Sequence, residues 1–412
     1  MDGTFFPQFN SNHMTSFALY LFWIGLTIIA YTYVGYGIVI YILSRIKGQS
    51  KHPALQGEDF LPEVTILIAA YNEEQFIEDK IKNTEALDYP KEKLSIFIVT
   101  DGSSDNTPAL VKKSHAVKLF HEPQRKGKIH AVNRVMKMVK TPVVIFCDAN
   151  TLLNRDAIKN IVRHYQDEAV GGVAGEKRIF KKSEDNASGS GEGLYWKYES
   201  FLKKKDSEVY SVVGAAGELF SVRTALYEDP DENMIIEDFY MSLKIAARGY
   251  RFIYEPEAYA TETASVSVEE EWKRKVRICA GAFQAMGKLK SLLNPFRHGI
   301  LSFQYISHRV LRWTLAPLFL PLVLVSNLWL ALQGSLFFIV MFIGQLLFYG
   351  FAALGYINRN KQVSVKGFFV PYYFLMMNLS VYAGFRRFRR GRQSVLWERA
   401  QRASVAPQSV KY

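Results

Sequence analysis

Apolar and polar residues alternate in blocks along this 412-residue chain, and the length of the blocks changes with position. Between residues 62 and 180, apolar runs of strand length alternate with amphipathic stretches of helical period. This alternation predicts an α/β fold with a doubly wound, mostly parallel sheet. The predicted strands are 64–71, 94–100, 117–121, 143–148 and 172–179, and the helices between them are 74–87, 107–114, 128–139 and 155–166.

Two longer segments, 17–43 and 314–358, contain no charged residue. The first is long enough to cross a bilayer once, and the second is long enough for two crossings joined near residues 333–335. A cleaved signal peptide is the alternative for the first segment. It lacks a basic start, however, and its apolar run exceeds the usual length of about 7–15 residues, so we predict a retained span.

The basic residues set the predicted orientation. Residues 1–16 contain no Lys or Arg, whereas Arg45, Lys47 and Lys51 follow the first span. The positive-inside rule therefore predicts a multi-pass protein of the cell (inner) membrane with its middle domain in the cytoplasm. The apolar run 367–385 has basic flanks on both sides, which favours a re-entrant or interfacial segment over a full crossing.

These patterns predict a series of domains and membrane segments. Their limits are 1–16 (extracytoplasmic), 17–43 (span), 44–61 (linker), 62–288 (cytosolic domain), 289–313 (interfacial amphipathic segment), 314–357 (two spans), 367–385 (third C-terminal membrane segment) and 386–412 (basic tail). Within the cytosolic domain we also predict a Ser- and Gly-rich loop at 181–193, a helix at 194–205 and a helix beginning after Pro230. The tail contains Trp397, Glu398, Arg399 and Arg402, to which the sequence assigns no function.

Charge and cysteine content narrow the possible partners. The net charge is +12, and basic residues concentrate next to apolar segments, as at Arg386 and Arg387. Such clusters are typical of contact with anionic lipid headgroups, so we predict membrane lipids and no nucleic acid as partners. Cys147 and Cys279 are the two cysteines, so we expect no disulfide framework.

Carboxylates follow several predicted strands. Glu73 follows the first, Asp101 follows the second, and Asp148 ends the fourth with Asn150 two residues later. Open α/β sheets bind ligands at the carboxyl ends of their strands. An oxygen-only set of ligands suits Mn²⁺ or Mg²⁺ held together with substrate phosphates. We therefore predict a nucleotide diphosphate and a divalent ion at this edge, with Asp148 and Asn150 as the metal ligands.

Two further groups complete the predicted site. The basic loop 124–128 precedes a helix, where phosphate is favoured. Glu237 and Asp238 lie in the early turns of a later helix, where the helix dipole favours the carboxylate form.

The order of these motifs resembles the inverting family 2 glycosyltransferases of the GT-A fold, in particular the membrane-embedded branch of hyaluronan, poly-N-acetylglucosamine and cellulose synthases. The resemblance covers about residues 64–281. Residues 70–73 and 101–105 resemble the family's first two strand ends, 148–150 its Asp-X-Asp, 236–238 its Thr-Glu-Asp, and 274–278 its Gln-X-X-Arg-Trp.

The resemblance implies specific roles. The implied nucleotide-sugar contacts are Ala70, Tyr71, Glu73, Asp101, Lys128, Asp148 and Arg277, the implied acceptor contacts are Gly217 and Glu218, and the implied catalytic residues are the base Asp238 and its neighbour Glu237. The implied reaction is transfer of a sugar from a UDP-sugar to a growing β-linked polysaccharide, with possible translocation. No export partner is identifiable from the sequence.

Departures from the family's pattern keep alternatives open. Asn150 replaces the second Asp, and Ile278 replaces the Trp of the acceptor platform. A non-processive transferase acting on a lipid acceptor is therefore the second hypothesis. A nucleotide-sensing membrane protein is the third, and it gives no reason for Glu237 and Asp238 to lie beside a diphosphate site.

Overall fold

The computed structural model describes residues 11–48, 60–180, 187–263, 267–359 and 366–391. Several sequence predictions lie wholly or partly outside these residues. They are the N-terminal residues 1–10, most of the linker (49–59), the first part of the polar loop (181–186), and the tail 392–412 with Trp397, Glu398, Arg399 and Arg402.

Within the described residues the strands form one eight-stranded sheet in the order β3-β2-β1-β4-β7-β6-β8-β5. The strands are β1 (Val64–Ala70), β2 (Leu94–Asp101), β3 (Val117–Glu122), β4 (Val143–Asp148), β5 (Leu152–Leu153), β6 (Val170–Phe180), β7 (Leu219–Arg223) and β8 (Arg251–Thr263). Strands β1 to β4 pair in parallel, as does β6 with β8. Strand β7 is antiparallel to both β4 and β6, and β5 is antiparallel to β8.

Helices cover both faces of the sheet. The helices are α1 (Ser11–Ala30), α2 (Tyr36–Lys47), α3 (Ile77–Glu85), α4 (Thr107–Lys112), α5 (Lys128–Met136), α6 (Ala157–Val162), α7 (Ala187–Val209), α8 (Glu237–Ala247), α9 (Val268–Lys288), α10 (Pro295–His298), α11 (Ile300–Tyr305), α12 (Leu311–Trp313), α13 (Leu315–Leu332), α14 (Leu336–Ile357) and α15 (Lys366–Arg389).

Alternate residues of β1 point to opposite faces of the sheet. Ile66 and Ile68 belong to one core cluster, in which α3, α4 and α6 also bury apolar side chains. Leu67 and Ala69 belong to a second cluster, to which α5 and α8 contribute. The sheet therefore lies between two helical layers, as the alternation of strands and helices predicts.

The second half of the domain departs from the sequence predictions. Strand β8 was not predicted, and the helix predicted at 194–205 runs from Ala187 to Val209. The prediction of loop at 187–193 is thus wrong, because extending an existing helix adds one hydrogen bond for each residue fixed. The helix expected after Pro230 begins at Glu237, so Asp238 lies in its first turn.

Four helical segments of the described chain are long and apolar enough to cross a membrane. They are 13–47, which includes a π-helical turn at Tyr31–Gly35, and the helices α13, α14 and α15. Helix α15 is continuous over 24 residues. The re-entrant or interfacial placement of this segment in the membrane stays a prediction. The segment 300–313 is largely buried within the protein, with His308, Arg309 and Arg312 enclosed. Its interfacial position at a membrane stays a prediction.

Candidate active site

The carboxyl ends of three adjacent strands bring the predicted acidic residues to one edge of the sheet. Strand β1 lies between β2 and β4, and the register pairs Ala69 with Asp148 and Ala70 with Thr100. Glu73 and Asp101 follow at the ends of β1 and β2, and both are buried. Parallel pairing therefore brings acidic side chains from distant parts of the chain to the same edge of the sheet, the edge where open sheets bind ligands.

Lys128 is at the centre of this edge, at the first position of α5. Its Nζ lies 3.1 Å from Asp148 Oδ1 and 3.0 Å from Glu237 Oε1. Burial lowers the pKa of Lys128, but the charges of Asp148, Glu237 and Asp238 outweigh it, so the pKa lies above its ordinary value. The ammonium is therefore charged at neutral pH and joins β4 to the start of α8.

Asp238 lies beside Lys128 and Glu237, and its pKa is shifted towards neutrality. Burial, followed by the charge of Glu237, raises the pKa of Asp238 to about 7. Lys128 opposes the shift without cancelling it. A carboxylate with a pKa near neutrality is suited to accept a proton at physiological pH, which is the property required of a general base.

The loop 214–218 approaches Asp238 closely. A Cβ atom added at Gly217 would lie 3.4 Å from Asp238 Oδ2 and 3.8 Å from Lys128 Nζ. Any larger side chain here would enter the space beside the candidate base. Glycine at this position therefore keeps room next to Asp238.

Glu218 is held by a buried lysine that the sequence analysis did not single out. Lys177 Nζ, on β6, lies 2.6 Å from Glu218 Oε1 and also pairs with Glu262 on β8. Burial raises the pKa of Glu218, but the charge and hydrogen bond of Lys177 lower it by more. The pKa of Glu218 therefore lies far below its usual range. The charged run 176–178 at the end of a strand was the signal available in the sequence.

The other side of the edge is built from short loops. Asn72 and Ser104 exchange hydrogen bonds between the β1 and β2 loops. The guanidinium of Arg125 lies 3.7 Å from the centroid of the Tyr71 ring, a contact that the sequence did not predict. An aromatic ring and a cation thus lie together at the predicted nucleotide side of the site.

The carboxylate of Asp101 is buried and is bound by backbone amides. Its carboxylate accepts hydrogen bonds from the amides of Lys126 at 3.0 Å and Gly127 at 2.6 Å. These bonds hold the basic loop immediately before Lys128. Its predicted contact with a nucleobase would have to use the remaining acceptor capacity of the carboxylate.

Arg277 on α9 belongs to the same electrostatic environment. Burial lowers its pKa, while Glu237, Asp148 and Asp238 act in the opposite direction. Its neighbour Ile278 is partly buried on the same helix. Trp272 packs with Val268 and Tyr372, so it does not replace the missing aromatic platform.

The residues predicted to bind a metal fit a loosely held hard cation. The described residues contain no group of three or more His, Cys, Asp or Glu side chains suited to a metal. Asp148 remains 18% exposed, and Asn150 follows it in the adjoining turn. One carboxylate and one amide oxygen match the few protein ligands that Mg²⁺ takes when phosphates and water supply the rest.

Residues 65–229 match the family model described as glycosyl transferase family 2. Over these residues, called the family 2 domain below, the chain is similar to that family. The resemblance inferred from the strand-end motifs is thereby confirmed. The matched residues extend from β1 to the segment just before α8 and include Lys128, Asp148 and Gly217.

Two curated relatives align with a little more than half of this chain. A poly-beta-1,6-N-acetyl-D-glucosamine synthase of Staphylococcus aureus (strain COL) is 32% identical over an alignment of 238 residues, and the match covers 55% of this chain and 56% of the relative. The synthase of the same name from Staphylococcus epidermidis is 27% identical over 248 residues, or 58% and 57% of the two chains. The matched region thus spans a little more than half the length of these relatives.

The fold of the whole chain also has a solved counterpart. A mannosyltransferase from Pyrobaculum calidifontis, solved with GDP-Man and Mn²⁺, superposes with a TM-score of 0.66 at 22% identity. The match covers 92% of this chain and 99% of the other. At this identity the similarity concerns the fold. It confirms the predicted GT-A fold with its mostly parallel sheet.

Proposed function

We propose that this protein is a membrane-bound inverting glycosyltransferase that transfers a sugar from a UDP-sugar to a growing β-linked polysaccharide. One observation carries the proposal: Lys128 joins Asp148 to Glu237 directly beside Asp238, the carboxylate whose pKa is raised to about 7. The synthases among the relatives support a polysaccharide product. The orientation with the family 2 domain in the cytoplasm belongs to the same proposal.

In this reaction the acceptor hydroxyl attacks the anomeric carbon of the donor in line with the departing diphosphate. The new oxygen–carbon bond forms as the carbon–oxygen bond to the diphosphate breaks, and the electrons of the broken bond leave with the diphosphate. Asp238 takes the proton of the acceptor hydroxyl. Lys128 and Arg277 stabilise the negative charge that develops on the leaving group.

Asp148 and Asn150 would hold a divalent ion, Mn²⁺ or Mg²⁺. When bound, such an ion neutralises charge on the leaving diphosphate. Tyr71, Glu73 and Asp101 would contact the nucleoside. We assign uridine on the resemblance of these strand ends to the family's motifs. The mannosyltransferase with the same fold was solved with a guanosine donor, so the base requires a direct test.

A screen of donors tests the proposal. Purified protein would be given individual UDP- and GDP-sugars with Mn²⁺ or Mg²⁺, and release of nucleoside diphosphate and labelled product would be followed. We expect turnover with a UDP-sugar, and a loss of about 10²–10⁴-fold in Asp238→Asn, the usual contribution of a general base. Absence of turnover with every donor, or full turnover by Asp238→Asn, would refute the proposal.

A lipid acceptor is the second candidate, and Ile278 favours it. A growing chain of sugars is usually supported by stacking on an aromatic side chain, and α9 presents an aliphatic residue next to Arg277. The length of the product separates the two acceptors. Long chains support polymer synthesis, whereas single additions to a lipid support the alternative.

A further inference from the structure

The buried segment that joins the family 2 domain to helix α13 also contacts Val213, the residue directly before the loop 214–218. The segment consists of α11, a π-helical turn at Ile306–Val310, and α12, and α13 begins at Leu315. π-helical turns inside helices occur frequently at functional sites. Arg309, in the turn, and Arg312, one helical turn later, are both enclosed.

Both arginines bind one carboxylate on α7. Arg309 Nη2 pairs with Glu199 Oε1, and Arg312 Nη1 lies 3.0 Å from Glu199 Oε2. Burial raises the pKa of Glu199, but Arg309 and His308 lower it more strongly, so the pKa lies well below the usual range. Glu199 is therefore charged at any physiological pH and forms a fixed anchor for both side chains.

Of the two arginines, Arg309 alone has a hydrogen bond to the residue before this loop, within the described part of the chain. Its Nε donates a hydrogen bond of 3.1 Å to the carbonyl of Val213. The next residue, Gly214, has φ of +90°, and a Cβ atom there would lie 2.3 Å from the Phe239 ring. In contrast, Arg312 Nε and Nη2 have no hydrogen-bond partner among the described residues.

The same segment also touches the helix that carries Asp238. The Trp313 ring packs edge-on against Phe239, with the ring centroids 5.2 Å apart. Ala215 donates a hydrogen bond of 3.0 Å to Ser242 Oγ on α8. The loop, the start of α8 and the segment before α13 are thus packed together as one unit.

We propose that Arg309 is a positioning residue that holds the loop 214–218 in place for the acceptor. The position at which helix α13 packs on the domain would thereby determine how the acceptor is aligned with Asp238. The proposal rests on the proposed transferase function. One planar guanidinium binds Glu199 and the Val213 carbonyl at the same time. A lysine at this position keeps its charge but cannot reproduce both directions of hydrogen bonding.

Arg309→Lys and Arg312→Lys form a matched pair, because both weaken the contact with Glu199, whereas Arg309→Lys alone removes the bond to Val213. For Arg309→Lys we expect a roughly tenfold rise in the acceptor KM or in the ratio of donor hydrolysis to transfer. A change of this size is expected because the variant loses one charged hydrogen bond. The donor KM should stay within about twofold of the wild-type value. Arg312→Lys should leave all three quantities within about twofold.

Hydrogen exchange of the amides in residues 213–218 provides a readout that needs neither donor nor acceptor. We expect faster exchange in Arg309→Lys than in Arg312→Lys. Equal exchange in the two variants, or an equal change in acceptor KM, would overturn the positioning role. Faster loop exchange in a protein that transfers no sugar would support the positioning role and refute the proposed function.

Discussion

Two ion clusters of the protein, one at the strand ends and one between α7 and the segment 300–313, use similar side chains but differ in their access to solvent. At the strand ends, Lys128, Asp148 and Glu237 remain 22%, 18% and 12% exposed. Between α7 and the segment 300–313, Glu199, Arg309 and Arg312 are at most 9% exposed. The first cluster can exchange its internal contacts for those with a ligand. The second cluster is buried, its charged groups pair with one another, and it links α7 to the segment 300–313.

Between the two clusters, the larger effect on the rate is expected from removing the cation of the cluster at the strand ends. Lys128→Met leaves Asp148 and Glu237 without their shared partner and removes a charge that would stabilise the leaving diphosphate. We expect the rate of sugar transfer to fall by about two to three orders of magnitude. Steady-state release of nucleoside diphosphate measures the change.

Lys126→Met is the matched control for this substitution. Its ammonium pairs with Glu122 at 3.7 Å on the surface, two residues away from Lys128. We expect nearly unchanged transfer. Similar losses in both variants would mean that general positive charge in the loop, rather than the contact with Asp148 and Glu237, supports the rate.

The buried cluster should respond through stability instead. Glu199→Gln removes the charge shared by two buried guanidinium groups, a change that typically costs about 3–5 kcal/mol of unfolding free energy. Chemical denaturation in detergent measures it. Glu228→Gln is the control, because Glu228 also binds two cations, Lys244 and Arg248, but is 47% exposed. We expect less than about 1 kcal/mol there, and equal losses would remove the distinction between the clusters.

The pH dependence of transfer should report Asp238. The base acts as a carboxylate and its pKa is raised to about 7, so the rate should rise with pH and level off above neutrality. The charge of Glu237 contributes to the raised pKa, so Glu237→Gln should move the midpoint of the pH profile to lower pH. A midpoint that stays in place or moves upward would contradict this electrostatic assignment.

The smallest effect concerns the ion. Asn150→Asp adds a second carboxylate two residues after Asp148, and affinity for hard cations grows with the charge of their ligands. We expect the Mn²⁺ concentration for half-maximal transfer to fall severalfold. An unchanged requirement would exclude residue 150 from the metal site.

The sequence predicted the part of the sheet that lies around Asp148, because β1, β2 and β4 are mostly apolar runs that end in or are soon followed by polar residues. Strand β8 escaped prediction, since Pro256 interrupts it and the pairing with β6 is irregular nearby. The strand ends revealed the acidic residues. They did not reveal that the Asp101 carboxylate binds the amides of Lys126 and Gly127.

Long-range contacts explain the remaining differences. Arg309 and Val213 are 96 residues apart, and the hydrogen bond between them depends on how α7 and the segment 300–313 pack. The apolar and basic residues of 296–313 predicted an amphipathic element at the membrane surface. That position stays a prediction. What the pattern did not show is that His308 and Arg309 are enclosed among acidic partners, Glu199 and Asp206, that no local pattern connects to them.

The anomeric configuration of the transferred sugar tests the account most directly. Direct attack by an acceptor activated by Asp238, without a covalent enzyme intermediate, inverts the donor's configuration. Proton NMR of the first product formed from an α-linked UDP-sugar should therefore show a β linkage. An α linkage would contradict the mechanism assigned to Lys128, Asp148, Glu237 and Asp238.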